Sequence, residues 1–138
     1  MGTIVLMKII ADTNTFLAVV LNEPEKKQIV TLTVGHELAA PKILPFEIGN
    51  ALSAMVKRGR LSKIEAMTAF EETMQIPVEL RDIVIMNALD IACRNKIYAY
   101  GAYFLECALS LRGPLLTLDG RMKETARAVG VKLWEVQQ

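Results

Sequence analysis

The chain has 138 residues, 52% of them hydrophobic and 22% charged, and a formal net charge of +1. That length suits one domain, 1–138, with a core able to close without disulfides or a structural metal. A nearly neutral chain has no global field to attract nucleic acid, so any such contact must come from local patches. Apolar runs are short and interrupted by charges, which argues against a membrane span. The first residues show no cationic segment followed by a long apolar stretch, so a cytoplasmic protein is expected.

In chain order, Met7–Ala11 is an apolar run closed by Asp12-Thr13-Asn14, which predicts a buried strand followed by helix-capping residues. A short helix through Phe16, Val19 and Val20 ends near Asn22. Pro24 opens another, which carries Ile29, Val30 and Leu32 and stops at Gly35. Leu38-Ala39-Ala40 is a second strand, and Pro41 and Pro45 lead into a helix running to Gly59. Ser62-Lys63-Ile64-Glu65 has capping-box spacing and starts a helix to about Met74.

Ile76–Leu80 is a strand weakened by Pro77, which lacks a donor for the ladder. Asp82 is expected to cap the helix containing Ile83, Met86, Ala88, Leu89 and Ile91. A helix from about Gly101 to Leu111 ends at Gly113-Pro114. Leu115–Leu118 is a buried strand ending in Asp119-Gly120, a helix from Arg121 to Val129 stops at Gly130, and Val131–Val136 is a last strand. Strands alternating with helices predict parallel pairing, right-handed crossovers and helices on both sheet faces.

Open parallel sheets form sites outside the carboxyl ends of their strands. Asp12 and Asp119 both stand there, each after an apolar run and before a helix. Either could simply cap its helix. Two acids at corresponding strand ends, however, require an offsetting cation or cationic side chain. Glu47, in the first turn of the Pro45 helix, is the third candidate, with a favourable helix-dipole contact as its alternative role. Asn14 and Thr117 flank the acids and could hold metal-bound water or merely cap and brace the backbone. Mg²⁺ prefers carboxylate and water oxygens, can polarise a phosphoryl oxygen and can activate water. Such chemistry needs no histidine or thiol.

Among basic groups, Arg121 beside Asp119 is the favoured contact for a phosphate, whereas Lys57, Arg58, Arg60 and Lys63 are expected to decorate helix ends. Cys93 and Cys107 are expected to be reduced and buried, and His36 to lie on the surface. Phe46, Met55, Met67, Met74 and Trp134 are assigned to packing, and the apolar stripes on Ala51–Val56 and Ile64–Phe70 are expected mostly to pack in the core, with burial of a partner as their alternative role.

Three segments resemble PIN-domain nucleases of the VapC type. They are Ile9-Ile10-Ala11-Asp12-Thr13-Asn14, then Pro41 through Leu52 with Glu47, then Leu115 through Met122 with Asp119. The closing Val131-Lys132-Leu133 also fits. The resemblance implies a three-layer α/β/α PIN-like domain with a mostly parallel central sheet. It also implies Mg²⁺- or Mn²⁺-dependent RNA cleavage and assigns Asp12, Glu47 and Asp119 to the catalytic metal site. The partners it implies are a VapB-like antitoxin and a second copy in a homodimer, with operator DNA reached only through the antitoxin.

One departure stands out. The family usually carries an aspartate in a Tyr-Asp-Ala context before the late strand, where this chain reads Tyr100-Gly101-Ala102. Glu106 lies about 140° round an ideal helix from Gly101, faces elsewhere and is expected to be solvated. Asp90 lies on a different helix. The expected function is therefore an endoribonuclease impaired at Gly101, with a non-catalytic binder of antitoxin or RNA as the alternative. A phospho-receiver-like domain fits less well, because it needs adjacent acids after the first strand and a late strand-end lysine.

Overall fold

The computed structural model describes residues 5–135. Among them, four parallel strands form a sheet in the order β3-β2-β1-β4. β1 (Lys8–Ala11) lies in the interior, paired with β2 (Glu37–Pro41) and β4 (Leu115–Leu116). β3 (Glu79–Arg81) forms the far edge beside β2. Ile9 pairs with Leu38, and Ile10 with both Ala39 and Leu115.

Successive β1 residues point to opposite faces, and both faces are covered, so Ile9 and Ile10 are each fully buried. Ile9 packs with Ala18, Ile29 and Leu116, contributed in part by α1 (Thr13–Val20) and α2 (Lys26–Thr33). Ile10 joins the larger core on the other face. That core draws on α3 (Leu44–Lys57), α4 (Lys63–Gln75), α5 (Ile85–Asn95), α6 (Ala99–Leu111) and α7 (Gly120–Val129). The expected α/β/α layering is present.

Local signals explain most helix starts. Asp12, Ser62 and Asp119 accept backbone N–H bonds as N-caps, and Ser62 and Glu65 complete the expected capping box. In α3, Leu44, Ile48 and Leu52 recur every fourth residue and bury one face, which turns Glu47, Asn50 and Ala54 the other way. The α6-to-β4 passage depends on Gly113. A Cβ there would collide with the Lys8 carbonyl oxygen and lie 2.7 Å from Ile10 Cδ1, so only glycine lets β4 approach β1.

Several expectations need correction. Asp82 does not cap α5, because its carboxylate pairs with Lys42 at 3.0 Å and the N-cap is Val84. Glu106 serves that helix instead. It points away from Gly101, but it is buried rather than solvated, and it accepts from Val84 N at 3.3 Å. The last strand shrinks to one bridge, Leu115–Leu133, and Val136 lies outside the described residues.

His36 is half-buried rather than superficial. Its Nδ1 accepts from Met7 N at 3.0 Å and its ring meets Trp134 edge-on. Phe46 is 73% exposed, and Met67 and Met74 are also exposed, so none of them packs as expected. Cys93 is exposed, whereas Cys107 is buried. No described helix is long and apolar enough to cross a membrane.

Candidate active site

β1 and β4 lie side by side in parallel, so their carboxyl ends deliver Asp12 and Asp119 to one edge of the sheet. Thr117 joins the two ends. Its buried hydroxyl donates to Asp12 Oδ2 and accepts from Asp119 N at 3.1 Å. Asp12 Oδ1 accepts from Thr15 N at 3.1 Å and from Thr15 Oγ1 at 2.7 Å. Asp119 Oδ1 accepts from Arg121 N at 2.8 Å and Met122 N at 3.4 Å. The capping role foreseen for both acids is therefore real, and it also fixes their orientation.

Asp12, Glu47 and Asp119 line a single cavity of about 870 Å³. Asn14, Gly101 and Arg121 line it too, so it gathers all the candidates except Thr117, which braces the acids from behind. The basic group at Lys57, Arg58, Arg60 and Lys63 is not part of the lining. Asn50, Lys96, Tyr98, Tyr100 and Met122 are lining residues that sequence reasoning missed. Asn50 was detectable, because it follows Glu47 by one helical turn on the polar face of α3. Met122 had no local signal, since it arrives from α7. A Cβ added at Gly101 would lie 3.1 Å from Met122 Sδ, so the flexible thioether fills the space that a larger side chain there would need.

Burial pushes the Asp12 carboxyl above its ordinary range, the hydrogen bonds from Thr117 and Thr15 draw it down, and the Asp119 charge pushes it up again. The net shift is upward, and a cation between the two acids would offset it. Among the described residues, no group of three or more acidic, histidine or cysteine side chains is clustered tightly enough to enclose a metal ion. This donor set still fits Mg²⁺ or Mn²⁺, because a hard cation of this kind commonly takes one or two carboxylates and keeps several waters. Asp12 and Asp119 would be such a pair, and Glu47 lines the same cavity.

A mostly helical three-layer fold with acids at the ends of parallel strands defines the class as an α/β scaffold with an acidic strand-end cavity. The PIN domain family model matches residues 9–128, and the chain belongs to that family. Relatives include the VapC ribonuclease Mb0985 of Mycobacterium bovis, 25% identical over 120 residues, which span 87% of this chain and 92% of that protein. Ribonuclease VapC3 of Pyrobaculum aerophilum is 26% identical over 123 residues, 86% of this chain and 94% of the relative.

Solved structures with the same fold include PAE2754 from Pyrobaculum aerophilum, with a TM-score of 0.69 at 18% identity, covering 94% of this chain and 88% of that one. VapBC2 from Rickettsia felis, bound to a DNA fragment from its promoter, gives 0.66 at 14% identity and covers 92% and 97%. VapBC-1 from nontypeable Haemophilus influenzae gives 0.64 at 20% identity and covers 94% and 98%.

Proposed function

We propose that this chain is a divalent-metal-dependent endoribonuclease of the VapC toxin type, acting as one domain and weakened by Gly101. The observation carrying this reading is that Asp12, Glu47 and Asp119 face one cavity, with Asp12 and Asp119 coupled through Thr117. Asp12 and Asp119 would hold Mg²⁺ or Mn²⁺, with Glu47 completing the acidic wall. Bound there, the ion would polarise a phosphoryl oxygen and lower the pKa of a neighbouring water.

The chain's own groups supply the rest. Thr15 and Thr117 hold the Asp12 carboxylate in one orientation. Glu47 would accept a proton from water as its oxygen bonds to phosphorus, and the leaving ribose oxygen would take a proton from solvent as the bridging P–O bond breaks. Arg121 and Lys96, both cavity-lining cations, would bind the flanking phosphates. Asn14 can orient water at the acid edge.

The VapBC names of its structural neighbours support a VapB-like antitoxin as the natural inhibitor. A homodimer as the working unit, and operator DNA engaged only through the antitoxin, belong to the same proposal. A cytoplasmic location belongs to it as well. The competing reading is a non-catalytic PIN-domain protein that holds antitoxin or RNA, and it is favoured by Met122 occupying the space beside Gly101.

Cleavage of single-stranded RNA, followed with Mn²⁺ and with chelator, separates the two readings. Gly101→Asp should raise metal-dependent cleavage about tenfold or more, on the scale of one well-placed charged group. Met122 can swing aside to admit the new side chain. Equal, negligible cleavage by both proteins at saturating Mn²⁺ would decide for the binder.

A further inference from the structure

We propose that Tyr98 and Tyr100 form a stacking platform for a nucleobase of single-stranded RNA at the mouth of the carboxylate cavity. The proposal rests on the ribonuclease reading and deepens it by assigning a base-binding subsite.

The two rings are stacked, with centroids 5.7 Å apart and planes 7° from parallel. They remain open to solvent, Tyr98 at 77% and Tyr100 at 54% exposure, and both line the cavity. Neither belongs to the side chains packed against the hydrophobic cores, unlike Tyr103 on the same helix. Tyr98 is also the N-cap residue of α6 and makes no side-chain capping bond. Its ring therefore has no folding role in view. A stacked pair presents a flat π-face that a third planar ring can extend, and every base has such a face.

The charges nearby select the kind of occupant. Lys96 and Arg121 share the cavity wall with the tyrosines, so a strand stacked there finds cations for its phosphates. Asp12, Glu47 and Asp119 lie in the same cavity, which would bring a phosphodiester of the stacked strand toward the acids. Stacking tolerates any base, so the subsite would contribute affinity and register more than sequence choice.

The test is fluorescence anisotropy with a labelled single-stranded oligoadenylate RNA and an abasic oligomer of equal length. Ca²⁺ is present, and a denaturing gel checks that the oligomer stays intact. The parent should prefer the base-bearing oligomer. Tyr98→Ala should weaken that binding about tenfold while leaving the abasic oligomer unaffected, and Tyr98→Phe should retain the preference. Equal binding of both oligomers by the parent, or an unchanged Tyr98→Ala affinity, overturns the platform.

Weaker capture of a partner protein by Tyr98→Ala, with oligomer binding unchanged, would assign the rings to a protein and also overturn it. Cleavage assays on the same proteins keep the two readings apart. Metal-dependent cleavage without a stacking effect removes the platform alone. A stacking effect without cleavage supports the platform and removes the nuclease reading alone.

Discussion

Asp12 and Glu106 are both buried carboxylates, 8% and 4% exposed, and both have their oxygens engaged by donors. Glu106 receives Val84 N, Asn87 Nδ2 and Ser110 Oγ, so it ties α6 to the start of α5. Asp12 receives Thr15 and Thr117, but it also lines the cavity and feels the charge of Asp119. Hydrogen-bond satisfaction therefore does not separate a structural joint from the acid proposed to hold the metal. An open wall and a like-charged neighbour do.

The largest test of that contrast is Asp12→Asn. Cleavage should fall by about 10²–10³-fold, the scale of losing one preorganised charged group. The same change should raise the melting temperature of the metal-free protein by about 2–4 °C at neutral pH. The sign follows from linkage. Asp12 titrates above its unfolded value, so its stabilising contribution is complete at pH below the ordinary aspartate range and is lost as pH rises through the folded value. The gain from Asp12→Asn should accordingly shrink at pH 4, and calorimetry at both pH values checks it. A fall in melting temperature at neutral pH would show that the carboxylate is a net stabiliser, as Glu106 is expected to be.

Glu106→Ala should do the reverse. Leaving Val84 N and Ser110 Oγ without their acceptor should cost about 1–3 kcal/mol in urea unfolding. Cleavage per folded molecule should stay within about twofold, since Glu106 is not among the cavity-lining residues. A subtler effect concerns Asp119→Asn. Removing that charge should move the Asp12 titration downward, a shift readable by carboxyl-carbon NMR without metal. An unmoved titration would mean that the two acids do not sense one another.

The smallest effect is in the thiols. Burial pushes Cys107 up to about 11, whereas Cys93 is exposed, so one thiol should react under native conditions and two in denaturant.

The strand-end acids were legible because their signals are local, an apolar run, an aspartate and a helix start. Ser62 and Glu65 were legible for the same reason, since a capping box is complete within four residues. Glu106 was misjudged because helical periodicity tells which face a residue occupies, not which helix covers that face. The edge strand moved from Ile76–Leu80 to Glu79–Arg81, past the proline that cannot donate to a ladder. Met122 and the tyrosine pair escaped notice because their roles exist only after α6 and α7 meet across the cavity.

Gly113 bears no reactive atom and precedes Asp119 by six residues. Yet a single added methyl group there would strike the interior strand and push the neighbouring one outward, carrying the strand-end acid with it. Selection on catalysis would thus bear on a position that no substrate ever touches. Random mutagenesis scored for activity should find it as intolerant as the acids themselves, and a search confined to the cavity would never explain why.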